Sequence, residues 1–110
     1  MIAAGYTIKQ DDVGAPIIAV LNQAGAAVDL STATGVLFLM RSRSTGAAQI
    51  NAAATVTGAG SGEVTYTPVA GDLDTPGLFD AEWQVTFASG QVATFPSGGY
   101  TLINVVADLD

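Results

Sequence analysis

The chain has 110 residues, of which 49% are hydrophobic and only 12% charged, against roughly 25% charged in an ordinary soluble domain. Ten carboxylates against Lys9, Arg41 and Arg43 give a net charge of −7, too little positive charge to neutralise a phosphate backbone, so nucleic acid is not expected as a partner. With no cysteine and no histidine, a disulfide framework, thiolate or imidazole metal sites and a Ser-His-Asp triad are all excluded within one chain.

The length suits one domain, whose folding buries on the order of 65% of the surface that the unfolded chain exposes. Residues 1–12 carry neither a basic leader nor an apolar stretch long enough for a signal peptide or a membrane span, and the most hydrophobic window, residues 35–40, is too short to cross a bilayer. The expectation is a protein made in the cytoplasm, with no membrane partner. A partner protein could cover the excess apolar surface; the many alanines offer the alternative account.

In chain order, residues 6–10 (YTIKQ) alternate and predict a first strand with Tyr6 and Ile8 on one face. After Asp11, Asp12, Val13 and Gly14, the run PIIAVL over residues 16–21 predicts a short apolar strand that starts at a proline, where no ladder donor is needed. Residues 22–25 read as a hairpin connection and residues 26–30 as a brief returning strand. Residues 31–34 predict a turn or one helical turn capped by Asp29 or Ser31. Residues 35–40 (GVLFLM) are apolar on both faces, as in a central strand covered on both sides by loop or interface.

Residues 47–51 and 53–57 read as two weak strands about a small-residue bend. Gly58, Gly60 and Gly62 make a turn, without the lysine and following helix of a phosphate-binding loop. Residues 63–67 alternate with Val64 and Tyr66 inward, and Pro68 ends that strand. Residues 71–77 (GDLDTPG) carry the strongest turn signal, and they lead into the longest alternating run. There Phe79, Ala81, Trp83, Val85 and Phe87 share one face, while Asp80, Glu82, Gln84 and Thr86 share the other. A hairpin turn at residues 88–90, a strand over 91–95, an interruption at Pro96, Ser97, Gly98 and Gly99, a last strand over 100–106 and an acidic tail with Asp108 and Asp110 complete the chain. Eight or nine short strands, with turns every 8–12 residues and no helical periodicity, predict an all-β sandwich with Trp83 central to its core.

Four groups of residues are candidate sites. Asp72 and Asp74, two carboxylates at i and i+2 in a glycine-rich loop, could begin a calcium site, but such a site needs six to eight oxygens and the loop lacks the remaining acidic ligands of an EF-hand; Asx turns into Thr75, Pro76 and Gly77 explain both residues. Asp11 and Asp12 beside Lys9 read as a solvated turn. Asp80 and Glu82, roughly 7 Å apart along one strand face, have a spacing that glycoside hydrolysis can use, although solvent-facing strand residues show it too. Tyr6, Tyr66, Tyr100, Phe95 and Trp83 could form an aromatic sugar platform; alternation places most of them in the core and leaves Tyr100 as the exception. No catalytic residue and no cofactor are expected.

Three stretches, YTIKQDDVGAPIIAVLNQAGAAVDLSTATGVLFLMRSR, GDLDTPGLFDAEWQVTFASGQVATFP and GGYTLINV, together resemble the small immunoglobulin-like N-terminal domain of phage baseplate upper proteins, a module of the receptor-binding apparatus in some tailed phages. The recurring pattern is a Tyr-x-Ile/Leu-Lys-x-Gly/Asp-Asp opening, a Val-Asp-Leu bend, a Gly-Asp-x-Asp-Thr-Pro-Gly corner and a Val-Thr-Phe-x-x-Gly-x-x-x-Thr-Phe-Pro segment. Asp29 stands in the bend, Gly71, Asp72, Asp74, Pro76 and Gly77 form the corner, and Phe87 and Pro96 lie in the last segment.

The resemblance implies an immunoglobulin-like antiparallel β-sandwich of eight or nine strands over residues 1–110. The function it implies is structural: a virion protein of the tail or baseplate region, in several symmetric copies, with other virion proteins as partners. A capsid-surface decoration or head-fibre protein and a host-surface carbohydrate-binding module are the alternative expectations.

Overall fold

The computed structural model describes the backbone of residues 3–96, 99–107 and 109. Met1, Ile2, Ser97, Gly98, Asp108 and Asp110, which belong to the expected leaderless start, interruption and acidic tail, lie outside the described residues. Among the described residues there are ten strands: β1 (Ala3–Lys9), β2 (Ile17–Val20), β3 (Asn22–Gln23), β4 (Ala26–Ala27), β5 (Ala33–Ser42), β6 (Ala48–Gly58), β7 (Glu63–Tyr66), β8 (Gly77–Phe87), β9 (Val92–Phe95) and β10 (Thr101–Val106). The fold is an all-β sandwich.

Alternation over residues 79–85 makes β8 the centre of the larger layer. Phe79, Ala81, Trp83 and Val85 are buried, and the residues between them are half-buried. One edge of β8 pairs with β5 along its length, Phe38 lying opposite Trp83. The other edge is divided, β10 taking residues 77–81 and β9 residues 83–86. Beyond β10 lies β1, so the order runs β1-β10-β8-β5-β6-β7-β2. The β1–β10 ladder is parallel, which corrects the expectation of a wholly antiparallel sandwich; a first strand can join the last strand's edge in either direction when a long connection separates them.

Strand β6 corrects a second expectation. In place of two weak strands about a bend, residues 48–58 form one continuous strand that changes partner, from β5 through Ala54 to β7 from Thr55 onward. Ala52, Ala53 and Ala54 stand just before the change, and their small side chains let the strand pass from one layer to the other without a clash. Alanine's weak strand preference hid this element. The smaller layer is completed by β2 on β7.

The layers meet over three rings. Phe38 on β5 lies 4.7 Å from Trp83 on β8, tilted by 55°, and stacks at 4.9 Å on Tyr66 of β7. Such pairs add about 0.5–1.5 kcal/mol each beyond their burial. Ile17, Val64, Leu73, Val85 and Ile103 pack around them with almost no exposure.

Strand β5 is central, as expected, but only one of its faces is fully covered. Val36, Phe38 and Met40 are buried, whereas Leu37 on the opposite face is 36% exposed. The bend at residues 29–32 is an Asx turn, the Ser31 N–H donating to Asp29 Oδ1 at 2.9 Å, and leads into β5 without a helical turn. The β3–β4 hairpin turns at Ala24 and Gly25, with φ of 53° and 82°, the left-handed pair that a two-residue hairpin loop requires. Gly62 is fixed by a close approach: a Cβ there would lie 2.7 Å from the Leu21 carbonyl oxygen.

Candidate functional site

The carboxylates of Asp72, Asp74 and Asp80 each have bonded partners within the fold. Asp72 accepts from the Tyr66 hydroxyl and, at 2.9 Å, from the Val69 N–H, so it ties the end of β7 to the loop that follows. Burial first, then the bond to Asp72 and its charge, push the Tyr66 hydroxyl's pKa well above the usual phenol value. Asp74 accepts from Gln49 Nε2 and Thr75 Oγ1, both at 3.0 Å, and the Gln49 bond leads in holding its carboxyl below the ordinary range. The two carboxylates therefore serve different partners. Among the described residues no three acidic, histidine or cysteine side chains gather as a metal site would require.

Asp11 has a left-handed backbone, φ 60°, and its N–H bonds to the Leu73 carbonyl at 2.9 Å. The Asp11–Asp12 turn is thereby anchored to the GDLDTPG corner, and both residues are exposed. On the outer face of β8, Asp80 takes two bonds on one oxygen from Arg43, from Nε at 3.0 Å and Nη2 at 2.6 Å. Glu82 lines a depression of about 240 Å3 with Arg41 and Tyr100. A carboxylate held in an ion pair next to an arginine is poorly placed to carry a proton to a sugar.

The aromatic set divides as alternation predicts. Trp83, Phe95 and Tyr66 are buried. Tyr100 stands on the outer layer, but the Arg41 guanidinium lies 5.3 Å over its ring and donates to its hydroxyl at 3.3 Å, so the face that would meet a sugar is occupied by a cation. The resemblance-derived residues are structural: Asp29 caps its bend, Gly71 and Gly77 supply φ of 93° and 142° at the corner, Pro76 lies within that corner, Phe87 closes β8 half-buried, and Pro96 follows a cis peptide bond from Phe95.

What remains without an internal use is an edge. The layers are joined on one side by β6, but on the other β1 and β2 face each other across a cleft of about 560 Å3, walled by Gly5, Tyr6, Ala19 and Leu21, with Trp83 and Phe95 at its floor. A depression of similar size, about 620 Å3, lies beside residues 42–47 and 75–79. Its Ser42, Ser44, Thr45 and Thr75 already bond one another or Asp74.

Among the described residues strand β2 has no second partner, and its outward side chains Ile18 and Val20 are 42% and 50% exposed. No charged residue stands between Asp12 and Asp29. The sequence carried one sign of this: PIIAVL is apolar at consecutive positions, yet it begins at the proline typical of an edge strand. Alternation alone could not say that the outer half of that run stays uncovered.

No helix among the described residues is long and apolar enough to cross a membrane. Compared with known proteins, the chain matches no family model and no curated protein sequence.

Proposed function

We propose that the chain is a non-enzymatic structural module of a tailed-phage virion, an immunoglobulin-like sandwich in the tail or baseplate region that docks onto other virion proteins in several symmetric copies after synthesis in the host cytoplasm. The observation that carries this reading is the uncharged, unpaired edge of β2 with Ile18 and Val20 exposed. Free proteins usually blunt such edges with charge, whereas an assembly subunit has neighbours to cover them. The strand order adds support: β2, β7 and the second half of β6 form one layer, and β5, β8 and β10 the other, the division found in immunoglobulin-like domains.

Asp29 and the Gly71-to-Gly77 corner, which carry much of the resemblance, lie in turns of this sandwich, and Asp72, Asp74 and Asp80 are engaged by bonds within the fold. Protein partners also suit a net charge of −7 better than nucleic acid does. Mass spectrometry of purified particles tests the reading: the chain is expected among the virion proteins at a copy number that is a multiple of the symmetry of its site. A chain found in infected cells but absent from purified particles overturns it.

A further inference from the structure

We infer that the cleft between β1 and β2 is a strand-acceptor site, which takes an extended segment of a partner protein as an added strand on β2, with apolar side chains at alternate positions and lysine or arginine at its ends. This deepens the virion reading, on which only the origin of the partner rests.

The backbone sets the kind of occupant. The Leu21 N–H bonds to the Gly62 carbonyl at 2.8 Å, and in the antiparallel register Ile17 faces Tyr66, Ala19 faces Val64 and Val20 faces Glu63. Bonded pairs alternate along such a ladder, so residues 17 and 19 spend their polar groups on β7, while Leu21 donates to the Gly62 carbonyl and accepts from the Val28 N–H. Ile18 and Val20 point theirs away from it, and among the described residues the Val20 carbonyl receives only the Asn22 side chain, at 3.4 Å. A row of outward donors and acceptors is matched by another strand.

The cleft sets the side chains. An added strand continues the pleat, so every second residue enters over Ala19, Trp83 and Phe95 while the others lie beside Ile18 and Val20. The volume of about 560 Å3 falls within the roughly 300–1,000 Å3 of clefts that hold ligands. Alternate apolar residues fit this wall, and consecutive ones do not.

Charge and geometry choose a separate segment over a second copy. The β2 of a second copy is tied to its own β7 and cannot enter between the layers. Four residues of edge span only about 13 Å, far from the roughly 800 Å2 per partner that a stable pairing of copies buries. Two copies would also bring together charges of −7 each. The loop joining the two edges carries Asp11 and Asp12, and Glu63 stands opposite Val20 at the other end, so cationic ends are favoured on the incoming strand.

The test uses the full chain and the capped peptide KTVTVTVK, with KTTTVVVK as the same composition without alternation and ETVTVTVE as the charge-reversed form. Binding is followed by Trp83 emission and by hydrogen exchange at the Ile18 and Val20 amides. The expected result is saturable binding of KTVTVTVK with slowed exchange at both amides, and about tenfold or weaker binding of the other two, as the loss of one or two backbone bonds or charge contacts implies.

Ile18→Pro removes an outward N–H and no β7 bond, and is expected to weaken binding about tenfold. A KTVTVTVK peptide N-methylated on its β2-facing amides makes the same test on the unaltered chain and is expected not to bind. Unslowed exchange at Ile18 and Val20 under saturating peptide, equal binding of the two compositions, or unimpaired binding of the methylated peptide overturns the site. A concentration-dependent dimer of the chain alone, abolished by Ile18→Pro, overturns it in favour of a second copy. None of these outcomes touches virion membership, and absence from particles leaves the peptide result standing.

Discussion

The two long sides of the sandwich close in different ways. On one side β6 belongs to both layers, pairing first with β5 and then with β7, so the ladder passes from layer to layer without a break. On the other side β1 and β2 belong to different layers and leave a cleft between them. The closed side is built from alanine and threonine, the open side from Ile17, Ile18, Val20 and Leu21. Hydrophobicity therefore does not tell which side is sealed: backbone continuity seals a side, and apolar residues without a ladder partner make it receptive. If so, stability resides in the central strands and the closed side, and the open edge contributes little of it.

Substitutions can break or sharpen that contrast. The largest effect is expected for Trp83→Ala, which removes the ring that packs on Phe38 and floors the cleft and should cost about 3–5 kcal/mol in urea unfolding; a loss below about 1 kcal/mol would show that the three-ring cluster is not the centre of stability. Gly62→Ala comes next. Its Cβ would meet the Leu21 and Val28 carbonyl oxygens at 2.7 and 3.0 Å in a left-handed backbone, a strain of about 1–3 kcal/mol visible as a lowered Tm.

Tyr66→Phe removes the bond to Asp72 and should cost about 1–2 kcal/mol at neutral pH. The hydroxyl's pKa is raised by folding, so the unfolded chain loses this proton first and the native protein should lose stability as pH climbs above about 10. The Phe variant is expected to show a flatter alkaline limb.

The carboxylates of Asp29, bonded by Ser31, and Asp74, bonded chiefly by Gln49, are both held below the ordinary range. A depressed pKa gives stability that is present above the unfolded value and lost as pH falls through the folded one. Acid titration should therefore lower the Tm below about pH 4, and Asp74→Asn should reduce that dependence. The smallest effect is expected on the open side. Ile18→Lys with Val20→Lys should change stability by no more than about 0.5 kcal/mol, and a larger loss would mean that the edge is part of the core after all.

Strand β8 was legible because its periodicity is unbroken: each second residue from Phe79 to Val85 is apolar and each is buried. Turn chemistry was legible for the same local reason, at Asp29 and in the corner from Gly71 through Pro76 to Gly77. The side-chain partners of Asp72 and Asp74 were not legible, because i and i+2 spacing describes sequence distance, while Tyr66 and Gln49 come from elsewhere to claim the two carboxylates separately. Likewise, Tyr100 stands half-buried just before β10, and Arg41, 59 residues away, decides what its ring meets. The open cleft was hinted at only by the proline that begins PIIAVL, because an edge is defined by a partner that is missing.

The sequence by itself determined the class of the fold, its central strand, the inward residues from Phe79 to Val85 and the exclusion of cysteine and histidine chemistry, because composition and period two act within a few residues of chain. Tertiary structure alone decided the parallel placement of β1, the passage of β6 between layers and the unpaired edge of β2. Those depend on which strands lie side by side, and backbone hydrogen bonds, being nearly the same for every residue, leave no mark in the order of side chains.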